Sequence, residues 1–248
     1  MRIVVTGGCG FIGSSFVDLC KNLGYEVLVV DKMTYASNED WLPMDTELLT
    51  SDICDLTEDD LGEYDYLVNF AAESHVDNSI KDGKPFVKTN VEGTYNLLEL
   101  ARKNPKLKKF VQISTDEVYG DLDMLNIDAS FEQNFLYPSS YYSATKASAD
   151  MLVFSCGHTF NLPYIITRTC NNFGIRQHEE KFIPTIMKSI QKDKPIPIYG
   201  DGKQIREWIW VEDNVKQILK LMLEPDIGTF NIGSGECLQN IDIIKHIG

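Results

Sequence analysis

The 248-residue chain has no C-x-x-C pair, no internal repeat, no low-complexity tract and no apolar run of membrane-spanning length. Its six cysteines, Cys9, Cys20, Cys54, Cys156, Cys170 and Cys237, are spaced as neither a zinc site nor a disulfide framework. Reduced thiols are the expectation. Histidine is scarce, and His178 beside Glu179 and Glu180 lacks a companion His or Cys at ligand spacing, so no metal is expected. Positive charge is in deficit, with 23 Lys and Arg against 37 Asp and Glu, for a formal net charge of −14. So acidic a surface repels phosphate backbones and anionic lipid, which argues against nucleic acid and membrane as partners. One Arg or a row of backbone N–H groups can still hold a phosphorylated small molecule. The segment Met1–Thr6 already reads as a strand, leaving no room for a signal peptide, and a cytoplasmic protein is expected.

What is present suits a globular core: 43% of residues are hydrophobic and 24% charged. Short apolar runs at Arg2–Thr6, Glu26–Val30, Tyr66–Phe70, Phe110–Ile113 and Tyr164–Thr167 read as strands. Helical spacings separate them, among them Phe16 to Leu23 stopping at Gly24, Phe86–Arg102 and Ser143–Phe160. Strands alternating with amphipathic helices predict an α/β fold, a doubly wound, mostly parallel, Rossmann-like sheet. The basic stretch Lys103–Lys109 reads as a solvated helix-to-strand turn. After about residue 170 the rhythm changes. Pro184, Pro195 and Pro197 break the chain, and strands at Ile205–Val211 and Thr229–Ile232 flank a helix at Asp213–Leu223. Two units are expected: residues 1–170 as a dinucleotide domain, and 171–248 as a smaller substrate lobe interleaved with its end.

Gly7, Gly10 and Gly13 form a G-x-x-G-x-x-G turn between the first strand and the first helix. Such a turn lets the backbone approach a pyrophosphate, which the free N–H groups of the helix start then face. Phe11 and Ile12 lie inside it. Asp31 ends the second strand 18 positions after Gly13, close to the spacing of about 20 expected for a ribose-binding carboxylate. A carboxylate there accepts from a 2′-hydroxyl and repels a 2′-phosphate, so NAD is the expected cofactor. Asp52 and Ile53 are positioned to flank the adenine, and Ala71-Ala72 to let the backbone pass close to the cofactor; packing alone would explain either pair.

Tyr142 and Lys146 stand four apart, on one helical face. A phenol near pKa 10 is a poor base at neutral pH unless a neighbouring ammonium favours the phenolate. Ser114-Thr115-Asp116-Glu117-Val118-Tyr119-Gly120 follows the fifth strand, at the edge where such folds bind ligands. Two adjacent carboxylates cost stability by repulsion, but a base and an acid side by side can drive an elimination. Cys9 is expected to pack within the glycine turn and His75 to be a local hydrogen-bonding residue.

Taken in order, Thr6–Gly13, Asp31–Ala36, Ala71–Asp77, Ser114–Gly120, Tyr142–Lys146, Asn171–Gly174, Glu180–Pro184, Pro197–Gly200 and Arg206–Trp208 resemble the dTDP-glucose 4,6-dehydratases of the extended short-chain dehydrogenase/reductase family. The resemblance implies that Tyr142 deprotonates a sugar C4 hydroxyl with Thr115 and Lys146 assisting, that Glu117 removes the C5 proton and that Asp116 protonates the departing C6 hydroxyl. It adds Lys32, Thr34, Ser74 and Asn172 to the cofactor contacts. For the nucleotide sugar it implies Ser74, Thr115, Asn171, Lys181, Phe182, Pro197, Tyr199, Arg206 and Asn240, though a plain surface role suits Lys181 and Asn240 equally. It also implies a homodimer through the helices around Asn90–Arg102 and Ser143–Phe160. UDP-sugar 4-epimerases and decarboxylases share the glycine turn and the Tyr-x-x-x-Lys pair but usually lack the Asp-Glu pair. A non-catalytic NAD-binding protein is the alternative from another class. The resemblance fades after about Asn240, so the substrate lobe is expected to be incomplete.

Overall fold

The structure is a computed structural model that describes residues 1–122, 131–198 and 200–247. Its strands are β1 Arg2–Thr6, β2 Glu26–Asp31, β3 Glu47–Thr50, β4 Tyr66–Asn69, β5 Lys109–Thr115, β6 Tyr164–Thr169, β7 Asn171–Phe173, β8 Ile205–Trp210, β9 Gly228–Ile232 and β10 Cys237–Gln239. Seven form one sheet in the order β3-β2-β1-β4-β5-β6-β9. Every pairing in it is parallel. The inner strands are apolar on both faces because helices cover both: Ile3, Val4, Val5, Leu67 and Val68 are fully buried. Helices Phe11–Asn22 and Val211–Leu223 pack on one face through Phe16, Val17, Ile218 and Met222. Helices Thr94–Lys103 and Tyr141–Phe160 supply Leu97, Leu98, Val153 and Cys156 to the other. The doubly wound architecture expected from the alternating pattern is therefore present.

After β6 the chain leaves this sheet, forms β7 and β8, returns through the helix Val211–Leu223 to β9, then leaves again for β10 and the helix Asn240–Ile247. A small second sheet results, with β8 between antiparallel β10 and parallel β7. Among the described residues no helix is long and apolar enough to cross a membrane.

Two readings are corrected. The single helix expected over Phe86–Arg102 is a one-turn helix at Lys84–Phe86, a π-helical stretch at Val87–Gly93 and an α-helix at Thr94–Lys103. The wide π turn accompanies a tight contact: a Cβ on Gly93 would come within 2.5 Å of Ile53 Cδ1. It also sets Asn90, 1% exposed, facing inward. Hydrophobic spacing tolerates one inserted residue, so the periodicity could not reveal it. Lys109, read as part of a solvated turn, is instead the first residue of β5 and 4% exposed. Its Nζ donates to the carbonyls of Leu221, Glu224 and Asp226 at 3.1, 2.5 and 2.9 Å, closing the carboxyl end of the helix Val211–Leu223. Burial lowers its pKa. Replacing Lys109 by Met should strand those carbonyls and cost about 1–3 kcal/mol, read as a lower midpoint in urea unfolding.

Candidate functional site

β1 pairs with β2 on one side and β4 on the other, so the segments following β1 and β4 run apart and open a crevice at the carboxyl edge. Gly7, at φ +68°, turns the chain there, and a Cβ on it would lie 2.6 Å from the backbone nitrogen of Ala71. A side chain on Gly13 would run into the Gly7 carbonyl. The helix Phe11–Asn22 begins behind Gly10 with no side chain capping it, leaving first-turn N–H groups for a ligand.

The crevice is a cleft of about 470 Å³. Gly7, Gly10, Phe11, Ile12 and Gly13 line it, as do Asp31, Lys32, Thr34 and Ile53 from the edge of β2 and β3. Ala71, Ala72 and Ser74 follow from β4; Thr115, Glu117, Tyr142 and Lys146 come from β5 and the helix after it; Asn171, Asn172, Lys181 and Phe182 come from the second lobe. Asp52, Asp116, Pro197, Arg206 and Asn240 are not among the lining residues. Tyr199 lies outside the described residues. Asp52 accepts from the Cys54 backbone and pairs with Lys88. Pro197 is exposed, and Asn240 donates its backbone N–H to the Gln204 carbonyl at 3.0 Å. Arg206 is exposed and donates to its neighbour's carbonyl, yet its charge reaches both Asp116 and Glu117.

Asp31 is 6% exposed. One oxygen accepts from the Cys9 backbone N–H at 3.0 Å, and the other from the Met33 N–H and the Ser37 hydroxyl, each at 2.9 Å. The carboxylate thus ties the glycine turn to the end of β2. Cys9 is buried, and burial with the nearby Asp31 charge pushes its thiol up to about 12, keeping it protonated. An uncapped helix start, a side-chain-free turn and a buried carboxylate at the tip of β2 fit a dinucleotide with a free 2′-hydroxyl.

Thr115 ends β5. Its hydroxyl donates to Asp116 Oδ1 and accepts from the Glu117 backbone N–H, both at 3.3 Å, which folds Asp116–Tyr119 into a 3₁₀ turn. Ser140 caps the helix Tyr141–Phe160 and so sets where Tyr142 and Lys146 emerge. Lys146 Nζ donates to the Ile113 carbonyl at 2.5 Å. Burial brings its pKa down to about 8, opposed by Asp150. Burial raises the Tyr142 phenol, the Glu117 charge adds to that, and a hydrogen bond with Thr115 opposes it. Asp116 is pushed up to about 6, by burial first and by Glu117 second. Glu117 stays open to the cleft, whose walls strip enough water to raise it too, while Arg206 and Lys181 pull it back. Burial therefore raises both carboxyls, Asp116 up to about 6, and sets two groups able to hold or take a proton side by side.

Sequence reasoning missed two contributors. Asn90 accepts from the Glu73 backbone N–H at 2.9 Å and donates to the Glu73 carbonyl and to Thr145 Oγ1, each at 3.0 Å, joining the loop after β4 to the helix that carries Tyr142. Only its place in the π turn brings it there. Glu180, within a quoted motif but given no role, accepts from the Tyr35 hydroxyl at 3.0 Å and faces His75 at 3.6 Å and His178 at 3.4 Å. Lys181 beside it donates to the Ser74 carbonyl at 3.2 Å, so the second lobe is joined across the cleft to the first. Among the described residues no group of three His, Cys, Asp or Glu could hold a metal ion.

Residues 3–233 match the family described as the NAD dependent epimerase/dehydratase family, and the chain belongs to it. It is 47% identical to the low-salt glycan biosynthesis protein Agl12 of Haloferax volcanii, over all of this chain and 81% of that protein. It is 43% identical to the dTDP-glucose 4,6-dehydratase of Haemophilus influenzae, over all of this chain and 78% of that one. The crystal structure of a dTDP-glucose 4,6-dehydratase from Streptomyces venezuelae, solved with NAD bound, superposes with a TM-score of 0.92 at 39% identity. That match covers all of this chain and 80% of the other.

The Asp116 environment makes a prediction about stability. Folding raises this carboxyl from its unfolded value, so its contribution is fullest below about pH 4 and is lost as pH climbs through about 6. Asparagine mimics the neutral form at every pH. Asp116→Asn should therefore gain about 1–3 kcal/mol at pH 8, and that gain should vanish near pH 4 in thermal melts.

Proposed function

We propose that this chain is an NAD-dependent dTDP-glucose 4,6-dehydratase, a hydro-lyase, and that its substrate is a nucleotide sugar met in the cytoplasm. The observation that carries the reading is the Asp116–Glu117 pair, both raised by burial, standing at the carboxyl edge of β5 where their charges reach Tyr142. An epimerase, which only removes and returns hydride at C4, has no use for a second acid and base there. The Asp-Glu pair also sets a non-catalytic NAD-binding role aside. The family membership and the relatives of full-length similarity support the same reaction.

Residues 1–170, with Asn172 just beyond them, would hold NAD. The glycine turn and helix start take the pyrophosphate, Asp31, Lys32 and Thr34 the adenosine ribose, Ile53 the adenine, and Ala71, Ala72, Ser74, Tyr142, Lys146 and Asn172 the remainder. Bound there, NAD would supply the hydride acceptor for sugar C4 and the hydride donor for C6, with a proton returning to C5. Tyr142 takes the C4 hydroxyl proton, with Thr115 holding its phenol and Lys146 stabilising the phenolate. The resulting 4-keto group acidifies C5–H. Glu117 removes that proton, Asp116 gives its own to the C6 hydroxyl, and water leaves across C5–C6. Residues 171–248 would hold the nucleotide diphosphate, with Asn171, Lys181 and Phe182 on the cleft wall and Arg206 outside it.

A homodimer through the helices Thr94–Lys103 and Tyr141–Phe160 is part of the proposal. Their outer sides expose Tyr95, Met151, Phe154 and Phe160, at 54%, 46%, 52% and 54%. Apolar side chains gathered on two neighbouring helices favour burial against a second copy. Phe154→Glu should then halve the mass found by sedimentation, whereas an unchanged mass would remove this interface.

The reaction itself is tested with dTDP-glucose and NAD in deuterated water. Product lighter by one water and carrying one solvent deuteron at C5 is expected, and Glu117→Gln should slow its formation by ~10²–10⁴. A C4-epimerised sugar with no water lost would replace this reading with the epimerase.

A further inference from the structure

Tyr142, Lys146 and Asp150 follow one another at four-residue intervals along the helix Tyr141–Phe160, so they share a face. The mechanism uses the first two. Asp150 has no solvent exposure and lies one turn behind Lys146, which is 4% exposed. One Asp150 oxygen meets Arg168 Nε at 3.0 Å, while the other is buried with no partner at hydrogen-bond distance among the described residues. The Ser114 hydroxyl, next to Thr115 on β5, is also buried and is near enough to favour the ionised Asp150 carboxylate. An isolated ion pair of this burial contributes little to stability, since desolvating both charges offsets their attraction. Burying a carboxylate one helical turn from a second buried cation needs another reason.

Lys146 supplies that reason. Its Nζ has a neutral partner, the Ile113 carbonyl, and among the described residues no carboxylate pairs with an ammonium so removed from water. We propose that Asp150 is a positioning residue that keeps Lys146 an ammonium inside the cleft, and that Arg168 keeps Asp150 ionised to do so. This rests on the reading of Tyr142 and Lys146 as the pair that oxidises C4.

Arg168 suits the task because a guanidinium does not lose its charge in a protein. It is held by the Tyr119 hydroxyl at 3.0 Å and the Glu132 carbonyl at 3.3 Å, with its carbon 4.9 Å from the centre of the Tyr119 ring. The other charged or titratable groups lie elsewhere around Lys146. Asp116 and Glu117, on the turn after β5, bear on Tyr142. The Glu132 carboxylate accepts from the Asn231 backbone. On the π turn, Lys88 and Glu92 sit by Cys54, and Asp77 from the helix Val76–Lys81 bears on Lys181. Among the described residues Asp150 raises the Lys146 pKa against burial, and Arg168, followed by the Ser114 hydroxyl, opposes the upward push of burial on Asp150.

The test follows the ¹³Cε resonance of Lys146, assigned by its loss in Lys146→Met, through a pH titration of the ¹³C-lysine-labelled full chain. In Asp150→Asn the Lys146 midpoint should fall by one pH unit or more, with the alkaline limb of kcat moving down by the same amount, and Asp150→Glu should restore both. If Asp150→Asn does not fold, Asp150→Asn with Arg168→Gln removes both charges together and should show the same fall. A Lys146 midpoint unchanged in whichever variant folds, whatever its loss of Tm, overturns the proposal and leaves Asp150 a structural partner of Arg168. The titration needs no substrate. A wild-type chain that fails to dehydrate dTDP-glucose therefore counts against the proposed function, while the Lys146 midpoint still decides on Asp150.

Discussion

The close passage of the Gly7 backbone against Ala71 sets the geometry on which the rest of the site depends. β1 lies between β2 and β4, so the loops leaving β1 and β4 diverge at one edge, and only a residue without a side chain lets them start so near each other. Gly13 packs equally tightly on the turn, which brings the start of the helix Phe11–Asn22 up to the crevice. Asp31 then reaches the Cys9 N–H from the neighbouring strand and locks the turn. With that floor in place, whatever extends from β5 and β6 at the same edge faces the same ligand.

The far half of the site gathers ionisable groups where water is scarce, and burial opposes the charged form of each one. Such an arrangement works against folding and supports the catalytic role proposed for these groups. The surroundings carry it. Inner strands buried on both faces supply apolar burial along the whole sheet, and the polar holders are few: Ser140 at the helix start, Thr115 between the acids and the phenol, and Asn90 across to the loop after β4. The same helix packs into the core through Val153 and exposes Phe154 on its outer side, so one element serves the core, the chemistry and the proposed dimer.

The second lobe is formed by chain that leaves the large sheet after β6 and returns to it as β9. A cleft wall made from an excursion of the sheet is bound to it at both ends. Lys181 on Ser74 and Glu180 on Tyr35 add side-chain ties across the opening. The chain spans about four-fifths of the length of the relatives it matches.

Alternation of short apolar runs with amphipathic spacings was enough to read the doubly wound sheet, because a strand buried on both faces and a helix buried on one leave different periods in the residues. Gly7, Gly10, Gly13, Asp31, Glu117, Tyr142 and Lys146 stood out as local patterns, and the structure brings them to one cleft. Contacts between segments far apart in the chain left no such trace. The π turn that turns Asn90 inward, the burial of Lys109 under a helix end more than a hundred residues later, the meeting of Glu180 with Tyr35, and the cage of Asp150 and Arg168 beneath Lys146 arise only when packing brings the segments together. Packing also decided the acidities, because the loss of water around a carboxyl or an ammonium depends on what surrounds it in space and not on its neighbours in the chain.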